Sequence, residues 1–141
     1  DSSHFDPSFL ELEITETAMM YDTDRALQIV RELKEMGVKI ALDDFGTGYS
    51  SLIHLKLFPI DKLKIDQMFI RNADFKGRDG VIISSIIDMC HKLGIEAVAE
   101  GVETKDSLEY LKGIKCHLVQ GFYLSPPLAV EKFENIHLHR N

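Results

Sequence analysis

Residues 40–48 read IALDDFGTG, an apolar strand that runs directly into two adjacent carboxylates and a glycine-rich turn. The same design, an apolar strand that ends in charged residues, recurs at 10–16 (LELEITE), 63–66 (LKID) and 97–103 (AVAEGVE). Parallel α/β proteins build their active sites at the carboxyl ends of their strands. The sequence therefore predicts an α/β fold with a functional site where these strand ends meet.

Strand-like apolar runs lie near residues 9–15, 38–43, 62–65, 95–99 and 117–120, and helical spacing or a helix cap follows each of them. The clearest helices are predicted at 23–36 and 79–93, with Gly37 and Gly94 at their ends. This alternation predicts about five strand–helix units on a parallel sheet. A complete barrel of eight such units needs about 250 residues, so the 141 residues are expected to hold part of one.

Composition excludes several classes of function. The net charge is −7 and no long Lys/Arg cluster is present, so a general nucleic-acid surface is not expected. No apolar run reaches the ~20 residues of a membrane span, and residues 1–6 lack a signal-peptide pattern. Cys90 and Cys116 are too few for a disulfide framework. We therefore expect a cytoplasmic protein with reduced thiols.

The strand ends offer candidate ligands for a divalent metal ion. Asp43 and Asp44 are adjacent, and neighbouring like charges raise each other's pKa unless a cation intervenes. Oxygen-only ligands suit Mg²⁺ or Mn²⁺ better than zinc. A turn or a helix cap is an alternative role for Asp44 but leaves Asp43 unexplained. Glu13 shares a strand face with Glu11, where a solvated edge strand is the alternative to metal binding.

Other polar residues at the strand ends are candidates for catalysis or positioning. Beside an acidic metal site, Lys64 is expected to orient a water molecule or to neutralise developing charge, with an internal salt bridge to Asp66 as the alternative. Glu100 is a stronger functional candidate than Glu103, for which helix capping is an alternative. The amide of Gln120 both donates and accepts hydrogen bonds, which suits it to orient a ligand or water.

These motifs, taken in order, resemble the EAL-type cyclic di-GMP phosphodiesterases of bacterial second-messenger signalling. The resemblance covers almost the whole chain and rests on five segments: 12–17 (LEITET), 43–52 (DDFGTGYSSL), 63–66 (LKID), 99–104 (AEGVET) and 120–122 (QGF). It implies a modified (β/α)₈ TIM-type barrel that binds cyclic di-GMP and two Mg²⁺ or Mn²⁺ ions and hydrolyses one phosphodiester bond to give linear pGpG.

The resemblance also implies a role for each matching residue. Glu13, Asp43 and Asp44 correspond to metal ligands. Lys64 and Glu100 correspond to catalytic residues near the attacking water, with Glu100 as a ligand or a proton acceptor. Gln120 and Glu103 correspond to residues that position substrate or water. The segment Asp44–Leu52 corresponds to a mobile loop that shapes the metal site and a dimer contact, with Glu16 as its anchor.

The Glu-Ala-Leu signature of the family and a later Asn ligand are absent from the chain, and the resemblance implies that both belong to a part upstream of residue 1. Residues 1–141 are therefore expected to form the C-terminal portion of a single domain, incomplete for catalysis alone. We expect a homodimer and, in the parent protein, upstream sensory or diguanylate-cyclase-like domains. The alternative function is a catalytically degenerate module for cyclic di-GMP binding or for dimerisation.

Overall fold

A computed structural model of the chain describes residues 5–46 and 52–137. Within them a parallel sheet is formed by five strands: β1 (Glu11–Thr15), β2 (Lys39–Phe45), β3 (Lys62–Ile65), β4 (Glu96–Ala99) and β5 (Leu118–Val119). The α-helices are α1 (Glu16–Tyr21), α2 (Thr23–Glu35), α3 (Leu52–Leu57), α4 (Gln67–Ile70), α5 (Arg78–Leu93), α6 (Lys105–Gly113) and α7 (Val130–His137). A short 3₁₀ turn, Pro7–Phe9, precedes β1.

The strands lie side by side in the order in which they occur in the chain, and every pair is parallel. At least one helix separates each strand from the next. Consecutive parallel strands with helical connections are the building pattern of a (β/α) barrel. The structure therefore confirms the predicted α/β class and corresponds to five units of such a barrel.

The two faces of the sheet differ in chemistry. One face packs against the helices and carries the apolar core, with Ile40, Leu42, Leu63 and Ile65 nearly or fully buried. The opposite face, which we call the charged face, carries Glu11, Glu13, Ala41, Asp43, Lys62, Lys64, Glu96 and Val98. The alternation of strand side chains explains this division, because odd and even positions point to opposite sides.

The elements agree closely with the sequence expectations. The predicted strands and the helices expected at 23–36 and 79–93 are present with end shifts of a few residues. Gly94 ends α5 with a left-handed φ of 70° and its N–H bonded to the carbonyls of Cys90 and His91. Asp22 caps α2 through a hydrogen bond from the N–H of Arg25, 3.1 Å in length. The expected mobile loop lies mostly outside the described residues, since 47–51 are not among them.

Two further observations concern the cysteines and the length of the helices. Cys90 and Cys116 are free thiols, and burial raises the pKa of the Cys90 thiol to about 11, which disfavours the reactive thiolate. Across the described ranges, no helix combines the length and the apolar character needed to cross a membrane.

Candidate active site at the strand carboxyl ends

A β-bulge in β2 brings both aspartates next to β3. Leu42 pairs with Leu63 and Phe45 pairs with Ile65, so Asp43 and Asp44 together lie opposite the single residue Lys64. In a regular strand these two neighbours would point to opposite faces. A bulge adds one residue and re-aims the side chains beside it. Asp44 completes the bulge with a left-handed φ of 57°, a conformation that Asp tolerates better than most residues.

The centre of the site is the ammonium group of Lys64. Its Nζ lies 2.8 Å from an oxygen of Glu13, 2.9 Å from one of Glu100 and 3.2 Å from one of Asp43. These carboxylates come from three different strands or strand ends, β1, β2 and the residue after β4. The residue is only 8% exposed. The structure therefore brings four of the predicted site residues into one hydrogen-bonded group.

The ammonium of Lys64 is held firmly in its charged form. Burial on its own lowers the pKa of this lysine, but the hydrogen bonds that its ammonium donates to Glu13, Glu100 and Asp43 outweigh burial and leave the pKa well above its usual value. Three carboxylates around one ammonium leave two net negative charges. Among the described residues, this group therefore carries more negative than positive charge.

The negative charge of the site affects the pKa of Asp44. Burial raises the pKa of its carboxyl group, and the charges of Asp43 and Asp66 raise it further, against a smaller opposing effect of Lys64. Asp66 itself accepts a hydrogen bond from the N–H of Met68 at 2.7 Å and so caps α4. Lys64 instead pairs with Glu13, Asp43 and Glu100, and the alternative ion pair between Lys64 and Asp66 is not formed in the described structure.

A second group of ion pairs, which we call the second ionic layer, lies on the charged face around Lys62, two residues before Lys64 on β3. Lys62 Nζ lies 2.5 Å from Glu11 and 3.6 Å from Glu96. Burial lowers the pKa of Lys62, and the hydrogen bond and charge of Glu11 more than compensate, so the pKa is raised. Each lysine of β3 thus reaches across β2 to a glutamate of β1. This layer was not predicted from the sequence, although the matching Glu-x-Glu and Lys-x-Lys spacings of the two strands signal it.

The loop after β4 is fixed by close packing and by an ion pair. Gly101 has a φ of +69°, and a Cβ at this position would lie 2.5 Å from the Cβ of Gln67. Glu103 pairs with Arg71 at 2.6 Å, and Thr104 rather than Glu103 caps α6. Glu100 and Glu103 therefore have different surroundings, since one contacts the central lysine and the other contacts an arginine that sequence analysis did not single out.

Gln120 and Glu16 complete the predicted set. Gln120 lines a cavity of about 200 Å³ on the charged face together with Glu13 and Lys64, and its backbone carbonyl accepts from the N–H of Val102 at 3.1 Å. Glu16 begins α1 and is 5% exposed. Its expected role as an anchor stays a prediction, because most of the loop in question lies outside the described residues.

The donor set fits a hard divalent cation in chemistry and charge. Carboxylate oxygens are the ligands that Mg²⁺ and Mn²⁺ prefer, and the group carries excess negative charge. As arranged, Glu13, Asp43 and Glu100 direct oxygens at the lysine ammonium. Within residues 5–46 and 52–137, no three His, Cys, Asp or Glu side chains are grouped so that they could hold a metal ion directly. A metal ion therefore requires some rearrangement of these side chains.

Proteins of known sequence and structure resemble this chain over most of its length. The cyclic di-GMP phosphodiesterase NbdA of Pseudomonas aeruginosa is 47% identical over 126 residues, which are 89% of this chain and 16% of NbdA. The phosphodiesterase PaMucR, solved in complex with c-di-GMP, superposes with a TM-score of 0.83 at 44% identity, covering 91% of this chain and 52% of that one. BlrP1 of Klebsiella pneumoniae, solved as a manganese/cy-diGMP complex, superposes with a TM-score of 0.77 at 35% identity. The match covers 84% of this chain and 30% of the BlrP1 chain.

The chain thus spans about a sixth of the length of NbdA and about half of the solved PaMucR chain. The sequence pattern of the EAL domain matches residues 1–127. The ordered strand ends, the bulge and the group of carboxylates around Lys64 all lie inside that range. This protein chain belongs to the EAL domain family.

Proposed function

We propose that this chain is the C-terminal portion of an EAL-type phosphodiesterase domain that hydrolyses cyclic di-GMP to linear pGpG. One observation carries the proposal: the buried ammonium of Lys64 lies among Glu13, Asp43 and Glu100 at the carboxyl ends of the strands. The named activity of NbdA and the cyclic di-GMP complex of PaMucR support this choice of substrate.

Glu13, Asp43 and Asp44 are the residues that would hold the metal, as two Mg²⁺ or Mn²⁺ ions. Such ions lower the pKa of bound water and neutralise negative charge on a phosphodiester. The excess negative charge of the carboxylate group and the manganese complex of BlrP1 support this assignment.

The remaining residues act through hydrogen bonds and charge. Lys64 supplies a positive charge that stabilises negative charge developing on the phosphate oxygens. Glu100, which already accepts a hydrogen bond from Lys64, accepts the proton of the attacking water. Gln120 lines the same cavity as Lys64 and orients the substrate or water through its amide. Glu103 contributes to positioning through Arg71, and Glu16 anchors the 44–52 segment.

The partners belong to the same proposal. We infer a homodimer, a cytoplasmic location and upstream sensory or diguanylate-cyclase-like domains in the parent protein. The bifunctional diguanylate cyclase/phosphodiesterase MucR of Pseudomonas aeruginosa, 45% identical over 127 residues and matched over 18% of its length, supports such a domain combination.

The test compares this chain with a protein extended upstream to the full domain. Each is incubated with cyclic di-GMP and Mn²⁺, with and without a chelator, and linear product is followed by chromatography. We expect Mn²⁺-dependent turnover by the domain-length protein and its loss in Asp43→Asn. No turnover by the domain-length protein would contradict the proposal.

A second candidate is a module that binds cyclic di-GMP without turnover. It is favoured by one observation: Glu13, Asp43 and Glu100 surround the ammonium group of Lys64, so the protein itself supplies a cation to these carboxylates. Nucleotide binding that persists in the presence of a chelator and in Asp43→Asn, without product, would support this module over the enzyme.

A further inference from the structure

The ammonium group of Lys64 occupies the place in the site where a cation is needed. A lysine ammonium has three N–H donors, and three carboxylate oxygens lie between 2.8 and 3.2 Å from Nζ. Each oxygen belongs to a different part of the chain, so the lysine links β1, β2 and the end of β4. Two of these partners, Glu13 and Asp43, are also the proposed metal ligands.

An ammonium group and a divalent cation cannot share these carboxylates without cost. Two positive groups bound to the same oxygens lie only a few ångströms apart, where their repulsion is strong at the low effective dielectric of a nearly buried site. Two of the carboxylates that accept from Lys64, those of Glu13 and Asp43, are also ones that would hold the metal. Binding of a divalent cation to these carboxylates therefore weakens their interaction with the Lys64 ammonium, and the ammonium weakens binding of the divalent cation.

We propose that Lys64 is a built-in counter-ion that competes with the divalent metal for Glu13 and Asp43, and that metal binding turns its ammonium away from them. This inference rests on the proposed function, because it takes these carboxylates as the ligands. It adds a conformational role to the lysine. In the metal-free protein Lys64 holds the carboxylates together, and after metal entry its ammonium is released to meet an anionic phosphodiester.

The exchange couples two binding events. When a metal ion displaces the ammonium of Lys64, this positive group becomes available to the phosphodiester. When a phosphodiester attracts the ammonium, the carboxylates become available to the metal. Coupling of this kind is reciprocal, so each ligand raises the affinity of the other. The cost of displacing Lys64 also reduces metal affinity in the absence of substrate.

Lys62 provides a matched control on the same strand. It is two residues from Lys64 on the same face and is also paired with glutamates, but its partners are Glu11 and Glu96 and not the proposed ligands. Methionine is similar to lysine in length and carries no charge. Lys64→Met and Lys62→Met therefore each remove one charge from the charged face, and only Lys64→Met removes it from the metal ligands.

The experiment measures Mn²⁺ affinity of the chain by electron paramagnetic resonance of free Mn²⁺, without nucleotide and at constant pH and ionic strength. We expect Lys64→Met to bind Mn²⁺ at least tenfold more tightly than the wild type and Lys62→Met to stay within about threefold of it. Equal or weaker binding by a folded Lys64→Met protein, or no binding by it at millimolar Mn²⁺, would overturn the proposal. Circular dichroism establishes whether each variant is folded.

A second measurement uses the wild-type chain and so does not depend on the folding of a variant. The ¹H–¹⁵N signals of the lysine ammonium groups are followed during a titration with diamagnetic Mg²⁺. We expect the Lys64 signal to shift or broaden away while the Lys62 signal is retained. An unchanged Lys64 signal at saturating Mg²⁺ would overturn the inference.

The two proposals fail in different ways. Tighter Mn²⁺ binding by Lys64→Met together with no hydrolysis by the domain-length protein would support the counter-ion and contradict the enzyme. Hydrolysis with an unchanged Mn²⁺ affinity in Lys64→Met would support the enzyme and contradict the counter-ion.

Discussion

Lys64 Nζ donates a hydrogen bond of 2.8 Å to Glu13 Oε1 although their strands are not neighbours, because β2 lies between β1 and β3. Lys62 makes the same crossing to Glu11. On β2, the residue in register with Glu13 is Ala41, which is fully buried yet outside the apolar core cluster. A small side chain at this position leaves room for the lysines to cross.

This crossing predicts that Ala41→Leu destabilises the chain. The added carbons would enter the space that the lysine side chains use, and overpacking of this kind costs about 1–3 kcal/mol of unfolding free energy. Urea denaturation measures the change. Ala129→Leu, at an exposed alanine before α7, is the control and is expected within about 0.5 kcal/mol of the wild type. Equal stability of Ala41→Leu and Ala129→Leu would show that the lysines do not depend on this space.

Loss of Lys64 should cost more stability than loss of Lys62. Without metal, Lys64→Met leaves three carboxylates near one another with no cation, and we expect a loss of about 2–4 kcal/mol, below the top of the range for broken buried pairs because Glu13 is half exposed. Lys62→Met leaves two carboxylates and should cost about 1–2 kcal/mol. Denaturant titrations in a chelator measure both. A larger loss of stability in Lys62→Met than in Lys64→Met would contradict the conclusion that Lys64 is the centre of the carboxylate group.

Gly101 is expected to be indispensable to the position of Glu100. Gly101→Ala places a Cβ on a residue with a left-handed backbone conformation and pushes it against Gln67. We therefore expect the free energy of unfolding to fall by about 2–4 kcal/mol. Gly94→Ala is a matched control, because Gly94 has a φ of +70° but no atom within 4 Å of the added Cβ. It should cost about 1 kcal/mol. Similar losses in the two variants would show that contact with Gln67 contributes nothing.

Asp44 should make stability depend on pH in the acidic range. Its pKa is raised in the folded state, mainly by burial and by Asp43, so the folded protein binds this proton more tightly than the unfolded chain does. Stability therefore falls as the pH rises from the unfolded pKa of about 3.9 through the raised folded value. Asp44→Asn, which tolerates the left-handed conformation, should raise the melting temperature at pH 7 and have little effect below about pH 3.5.

The control for that comparison is Asp24→Asn, which removes one exposed charge in the first turn of α2. A carboxylate at a helix N-terminus is stabilising, so this variant should not gain stability at pH 7. Thermal unfolding at both pH values measures the two variants. A lower melting temperature for Asp44→Asn at pH 7 would contradict the electrostatic strain inferred at the bulge.

The sequence predicted the fold because its signals are local. The apolar runs and Gly94 after α5 each act within a few residues, and they appear where expected. The gathering of Glu13, Asp43, Lys64 and Glu100 also followed, since carboxyl ends of parallel strands meet at one edge.

The rest of the site depends on register and on contacts between distant residues. Strict alternation would separate Asp43 from Asp44, and only the pairing of β2 with β3 reveals the bulge. The ion pair of Arg71 with Glu103 joins residues 32 positions apart and has no periodic signature. The spacing of charged residues in β1 and β3 signals the ionic layer around Lys62, but the register that brings Lys62 near Glu11 comes from the paired strands of the structure.

The most direct test of the account is the rate of cyclic di-GMP hydrolysis by Lys64→Met and Lys62→Met in the domain-length protein, at saturating Mn²⁺. If the carboxylate group around Lys64 is the reaction centre, Lys64→Met should lose about 10³-fold or more in kcat, while folded Lys62→Met stays within about tenfold of the wild type. Equal rates for the two variants, or full activity of Lys64→Met, would contradict the assignment of this group as the active site.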